Sequence, residues 1–198
     1  MSTAYIASKS QGNILKIFEF IFSIFFLIYI SNAITPLILT KGTNEGDGID
    51  ISSFDLSINA EISILIYIIT WFLLLARWKR LISVFSQNKL IWILMGVICF
   101  SYFLSVNPEQ TLRFSLYALG TTSFGLYLAI RYTLRQQLSL FGWTYGLLLV
   151  LSILLAVAIP QYGIMGGVHE GALRGVFTHK NQYGAFMALG GVVFFLNA

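Results

Sequence analysis

The stretch LSLFGWTYGLLLVLSILLAVAI, from Leu138 to Ile159, contains no charged residue and is long enough to cross a lipid bilayer. A spanning α-helix needs about 20 apolar residues. The hydrocarbon core offers no water to the backbone, so the polar groups of the backbone must pair within the segment. This run therefore predicts a transmembrane helix, and the same reasoning applies to the other apolar runs of the chain.

The composition places the whole chain in the same class. Of its 198 residues, 57% are hydrophobic and 10% are charged, and the mean hydropathy is +0.80. A soluble domain of this size cannot hide so much apolar surface. We expect an all-α polytopic membrane protein with about six transmembrane helices. The predicted spans are Ile14 to Leu39, Ala60 to Ala76, Leu90 to Val106, Leu112 to Ile130, Leu138 to Ile159, and Asn181 to Ala198.

The basic residues predict how these helices are oriented. They cluster before and at the start of the first span, after the second and after the fourth: Lys9, Lys16, Arg77, Lys79, Arg80, Lys89, Arg131 and Arg135. Loops rich in lysine and arginine stay in the cytoplasm. The loop between Lys41 and Glu61 is acidic and is expected outside. The pattern predicts a cytoplasmic N-terminus.

We expect the chain to divide into two regions, with a boundary that follows from the family resemblance given below. Residues 1–89 hold the first transmembrane helices and the acidic outward loop, and residues 90–198 begin a second transmembrane region. The last apolar run ends at Ala198 with no basic anchor. The sequence therefore predicts a larger helical bundle that is cut short.

Metal and cofactor sites are not expected from this sequence. Cys99 is the only cysteine, which excludes an intrachain disulfide and a metal site built on cysteines. The formal charge of +4 is small, and the distribution of the basic residues along the chain is more informative than this total. We expect the lipid bilayer, and no nucleic acid, as a partner.

The segment RGVFTHKNQYG, from Arg174 to Gly184, is the strongest candidate for a functional site. Polar groups near lipid are costly unless they meet a partner, so they mark functional candidates. In the predicted orientation the fourth and sixth spans both begin at the outer face. A helix N-terminus presents amide donors and a positive dipole end, which together bind phosphate.

These considerations predict a site for a diphosphate group. The predicted ligands are Arg113, Arg174, Lys180 and Asn181, with His179 as a candidate catalytic residue. Asn107 and Pro108 suit the start of the fourth span, and Thr178 or Asn181 can cap the sixth. Plainer roles stay open: Arg113 and Lys180 can contact phospholipid headgroups, and His179 can be a surface histidine. His169 is assigned to the loop without a role.

With these residues in view, the chain resembles the O-antigen ligase and O-antigen polymerase superfamily, which includes exopolysaccharide polymerization proteins. The resemblance rests on RGVFTHKNQYGAFMAL, which is similar to the family pattern of arginine, a glycine and an aromatic residue, then His-Lys-Asn and a glycine that opens a helix. The segment SVNPEQTLR, Ser105 to Arg113, is similar to a second, weaker family motif. The resemblance covers roughly Leu90 to Ala198.

The resemblance implies a metal-independent membrane glycosyltransferase in the bacterial inner membrane. Such enzymes transfer glycan from an undecaprenyl-diphosphate carrier to an acceptor hydroxyl of a glycan or lipid at the outer face. Family members have about twice as many spans and a large downstream loop with further arginines and a histidine, so activity of this chain alone is not expected. Two other hypotheses stay open: a transporter or flippase for a lipid-linked sugar, and a non-catalytic membrane subunit.

Overall fold

The computed structural model describes residues 3–39 and 57–198. Within these ranges the helices are α1 (Thr3–Ile30), α2 (Ile34–Leu39), α3 (Ser57–Leu75), α4 (Trp78–Gln87), α5 (Lys89–Phe100), α6 (Pro108–Arg131), α7 (Leu134–Ala158), α8 (Pro160–Gly163) and α9 (Lys180–Asn197). The only extended pairing in the described ranges is an isolated bridge between Ile164 and Leu173. The predicted all-α class is confirmed.

Three described helices are long and apolar enough to cross a membrane: Asn13–Ile30 in α1, Ile58–Leu75 in α3, and the whole of α7. A fourth span results if α4 and α5 are counted together as one broken span. The chain is therefore a helical membrane protein, while six spans and the predicted orientation stay predictions. The acidic loop between Lys41 and Glu61 falls largely outside the described residues.

The first predicted span, Ile14 to Leu39, is not one continuous helix. The helix α1 ends at Ile30, and α2 begins only at Ile34 after a turn. Asn32 in this turn has a φ of 52°, a left-handed conformation that asparagine tolerates better than most residues. Ser31 Oγ donates to the carbonyl of Ile28 at 2.6 Å, which competes with continuation of the helix.

The third predicted span, Leu90 to Val106, is also shorter in the structure. Its helix α5 ends at Phe100, and it has 12 residues, or roughly 18 Å of length. The basic segment before it, predicted as a loop, forms α4, and the axes of α4 and α5 differ by 93°. The predicted span extends too far because apolar residues continue beyond Phe100 as far as Val106.

The described residues fall into two compact units. Unit 1 combines the described residues before 57 with Arg135–Ala198, and unit 2 is Ser57–Leu134. In unit 2, α4 and α5 contact each other, and both also contact α6. The predicted division into regions at residues 89 and 90 stays a prediction.

The core of unit 1 joins the N-terminal helices to the motif segment. Ala33, Leu148, Val176 and Phe177 form a buried cluster, and parts of α1, α2, α7 and α9 pack around it. Ala33 comes from the turn between α1 and α2, and Leu148 from the middle of α7. Burial of Val176 and Phe177 in this cluster fixes the segment that leads into α9.

In unit 2, α3 packs closely against α6. The close approach occurs at Gly120, where a β-carbon would overlap the ring of Tyr67. The predicted start of α6 is confirmed: Asn107 is the N-cap, its Oδ1 accepts from Gln110 N at 3.3 Å, and Pro108 is the first helical residue.

Candidate functional site

The candidate site lies in unit 1, in the loop from α8 to the start of α9. The loop folds back on itself, because the carbonyl of Gly163 accepts from the amides of both Arg174 (3.0 Å) and Gly175 (2.9 Å). The amide of Met165 also donates to the carbonyl of Ala172 at 2.8 Å. These bonds bring the end of the loop, just before α9, beside its beginning.

Arg174 is the internal brace of this loop. Its side chain is completely buried. Its Nε donates to the carbonyl of Tyr162 at 2.9 Å, and its Nη2 donates to the carbonyl of Gln161 at 2.9 Å. A buried guanidinium is tolerated only where its donors are satisfied, and these carbonyls satisfy two of them. In this arrangement Arg174 holds the loop and presents no surface to a ligand.

Gly175 and Val176 anchor the loop to α7. The amide of Val176 donates to Ser152 Oγ at 3.2 Å. Gly175 has a φ of 58°, and a β-carbon at this position would overlap the side chain of Ser152. Glycine is needed for both reasons, since it adopts positive φ at little cost and leaves room for Ser152. The anchor sets the height on α7 at which α9 begins.

His179 is the N-cap of α9. Its Nδ1 accepts from the amide of Asn181 at 3.1 Å, and its carbonyl accepts from the amide of Tyr183 at 3.2 Å. The prediction that Thr178 or Asn181 supplies the cap is wrong. Thr178 instead donates to Gln182 Oε1 at 3.0 Å, and the side chain of Asn181 is exposed. The physical reason is that imidazole nitrogen reaches the second amide of the helix as a short oxygen side chain does.

Lys180, the first residue of α9, contacts a second histidine. Its ammonium lies 3.2 Å from Nδ1 of His169. The rings of His169 and His179 meet edge to face, with centroids 5.6 Å apart. All three side chains are half-buried. We call these three residues the His-Lys cluster.

The hydrogen bonds assign the proton positions in the His-Lys cluster. An ammonium only donates, so Nδ1 of His169 accepts from Lys180. Nδ1 of His179 likewise accepts from a backbone amide. In the neutral rings the proton is therefore on Nε2 of each histidine. The cluster therefore contains one cation and two N–H groups, which are the kinds of donor that bind oxyanions.

Carboxylates do not neutralise this cluster within the described part of the chain. Glu170 follows His169 in sequence and is exposed, and no ion pair joins it to Lys180 there. No group of three or more histidine, cysteine or acidic side chains suited to hold a metal occurs among the described residues. Lys180 therefore remains the cation of the cluster.

Arg113 lies in unit 2. It is exposed near the start of α6, beside Asn107, Glu109 and Gln110, which line the same small surface cavity. Its location near the N-terminus of a helix agrees with the predicted helix start. The prediction that Arg113 and Lys180 bind the same diphosphate group stays a prediction.

Sequence reasoning missed His169 and Met165. Met165 is buried, and its sulfur accepts from the amide of Lys180 at 3.4 Å. The only signal was the presence of a second histidine ten residues before His179, in a loop with several glycines. Two of these glycines, Gly167 and Gly171, have positive φ and turn the loop back toward α9.

No family model, curated protein or solved structure matches this chain. The likeness to the O-antigen ligase and polymerase superfamily therefore rests on the motif residues alone.

Proposed function

We propose that the His-Lys cluster binds the diphosphate of a polyprenyl-diphosphate-linked glycan. The chain would be part of a membrane glycosyltransferase. This enzyme would transfer the glycan to an acceptor hydroxyl of a glycan or lipid at the outer face of the bacterial inner membrane. The observation that carries the proposal is the set of donors at the start of α9: the Lys180 ammonium and Nε2–H of His169 and His179.

The chemistry of glycan transfer suits these donors. The bond between the anomeric carbon and the diphosphate breaks, and the diphosphate leaves with the electron pair. Cations and N–H groups fixed near the leaving oxygens stabilise the charge that develops there. The N-terminal end of α9 adds a positive partial charge at the same place. Lys180 therefore binds the diphosphate and favours its departure.

Two other residues of the motif have different roles in this proposal. Arg174 is a positioning residue, because it is buried and bonds to the carbonyls of Gln161 and Tyr162. His179 caps α9, which leaves its Nε2–H to donate to a phosphate oxygen. In this tautomer Nε2 has no lone pair to accept a proton, so we assign His179, the predicted catalytic candidate, as a donor to phosphate and not as a base.

The test compares Lys180→Gln with Lys16→Gln in the full-length protein in nanodiscs. Lys16 is exposed in α1 of the same unit, so this variant loses the same charge elsewhere. Loss of a charge-assisted hydrogen bond of about 1.5–3 kcal/mol predicts a Kd for a short polyprenyl diphosphate that rises roughly 10- to 100-fold. Glycan transfer in membranes should fall in parallel. Unchanged binding by Lys180→Gln would overturn the proposal.

A second candidate function is transport of a lipid-linked sugar without bond change. Two observations favour it: the 93° break between α4 and α5, and the burial of Glu19 within a candidate span of α1. Broken helices and acidic groups at membrane depth are common in transporters. Movement of an intact labelled lipid-linked sugar across reconstituted vesicles would support transport. Release of free polyprenyl diphosphate with glycan on the acceptor would support transfer.

A further inference from the structure

The helix α4 has a regular division of apolar and polar residues around its axis. Its sequence is WKRLISVFSQ, from Trp78 to Gln87. Trp78, Leu81, Ile82 and Phe85 recur at spacings of three and four, so they share one face. No residue of α4 is fully buried. The helix is too short and too polar to lie across a membrane.

Part of the apolar face of α4 is not covered by the described residues of unit 2. Trp78 and Ile82 are each 55% exposed, while Leu81 and Phe85, on the other edge of the same face, are half-buried within unit 2. Tryptophan is enriched where the membrane meets water, since its ring is apolar and its N–H is polar. The uncovered edge has the composition of a surface in contact with lipid.

The opposite face of α4 is polar and basic. Lys79 and Arg80 are exposed, and each lies away from the apolar stripe by the helical repeat of 100° per residue. Ser83 and Gln87 continue this face and bond to each other through Nε2 and Oγ at 3.1 Å. Acidic residues are absent from α4. The polar face therefore complements a negatively charged surface.

The junction with α5 holds α4 at a right angle. The indole Nε1 of Trp92, in α5, donates to the carbonyl of Phe85 at 3.1 Å, and the two rings lie 4.7 Å apart. Asn88 at the corner donates through Nδ2 to the carbonyl of Val84 at 3.0 Å. These contacts cross the bend and fix the 93° angle. If α5 enters the bilayer along its normal, α4 lies parallel to the membrane surface.

We propose that α4 is an interfacial helix that binds the anionic phospholipids of the bilayer in which the chain sits. Trp78 and Ile82 enter the boundary between headgroups and acyl chains, and Lys79 and Arg80 contact phosphate groups. Amphipathic helices with aromatic and aliphatic residues on one face and basic residues on the other bind membranes in this way. Juxtamembrane lysine and arginine residues add electrostatic attraction to anionic lipids.

Spin labels at neighbouring positions of α4 test the proposal in the full chain. Ile82→Cys and Ser83→Cys are each made with Cys99→Ser, labelled and placed in nanodiscs of phosphatidylcholine and phosphatidylglycerol. The label at position 82 should favour collision with oxygen, at a depth of about 5–10 Å. The label at position 83 should favour collision with a water-soluble nickel chelate. Its ratio of oxygen collisions to nickel collisions should therefore be several-fold lower than that of the label at position 82.

The lipid charge is tested with the same label at position 82. Adding phosphatidylglycerol to phosphatidylcholine should move this label deeper, and Lys79→Gln with Arg80→Gln should abolish that shift. The matched control is Lys16→Gln with Arg135→Gln, which removes the same charge from exposed positions outside α4 and should keep the shift. Three results would overturn the proposal: both labels in water, both labels in the acyl region as for a broken span, or no response to phosphatidylglycerol.

Discussion

The ammonium of Lys180 lies 3.2 Å from Nδ1 of His169, although the two residues are 11 positions apart. The loop between them makes this contact, because its own hydrogen bonds bring its two ends together. The contact fixes a cation at the first turn of α9 and assigns the imidazole tautomer. It also defines which substitutions should affect diphosphate binding and which should affect only the loop.

The contact predicts that His169 and Lys180 act together. His169→Ala should raise the Kd for a short polyprenyl diphosphate about 10-fold, since both the hydrogen bond that positions the ammonium and the Nε2–H donor to phosphate are lost. When Lys180→Gln is already present, His169→Ala should raise the Kd by a smaller factor, because only the Nε2–H donor is then lost and neighbouring residues are not additive. Isothermal titration with the two single variants and the double variant measures this coupling. Fully additive effects would show that the two side chains bind independently.

Arg174 predicts a different result, because it is buried and braces the loop. Arg174→Lys cannot reach both carbonyls that the guanidinium bonds, so it should lower the free energy of unfolding by about 3 kcal/mol. Thermal unfolding in detergent measures this loss. Lys180→Gln is the control and should unfold like the wild-type protein. If Arg174→Lys weakens diphosphate binding while stability is unchanged, Arg174 is a direct ligand.

The two functions assigned to His179 can be separated. His179→Asn retains a capping side chain but removes Nε2–H, while His179→Ala removes both. We expect His179→Ala to cost about 1 kcal/mol of stability and His179→Asn to cost little. Both should weaken diphosphate binding by a similar factor. If His179→Asn binds the diphosphate like the wild-type protein and only His179→Ala binds it weakly, the affinity depends on capping alone. That result would exclude Nε2 as a donor to phosphate.

Gly175 and Gly171 provide a matched pair for the anchor of the loop on α7. Both have positive φ, so alanine at either position should cost about 1–2 kcal/mol of backbone strain. A β-carbon at Gly171 has no neighbour within 4 Å, whereas one at Gly175 overlaps Ser152. Gly175→Ala should therefore cost about 1–3 kcal/mol more than Gly171→Ala. Equal melting temperatures for the two variants would contradict this packing at Ser152.

The sequence by itself determined the class of protein, because burial in lipid demands long apolar helices and their composition is visible without a structure. It also determined the start of α6 from Asn107 and Pro108, since capping is a local effect of adjacent residues. It identified Arg174 to Gly184 as a polar segment that directly precedes the apolar run from Ala185 onward. In each case the physical cause lies within a few residues of the signal.

The tertiary structure decided the rest. Arg174 and Lys180 have similar charge, and only the fold of the loop makes one a buried brace and the other a half-buried cation. His169 belongs to the His-Lys cluster because it contacts Lys180 and His179 across the loop. The spacing of these residues in the sequence does not indicate such contacts. The break between α4 and α5 depends on Trp92 bonding back to Phe85, a contact across the bend. These features arise from contacts between distant parts of the chain, and periodicity and composition report only on near ones.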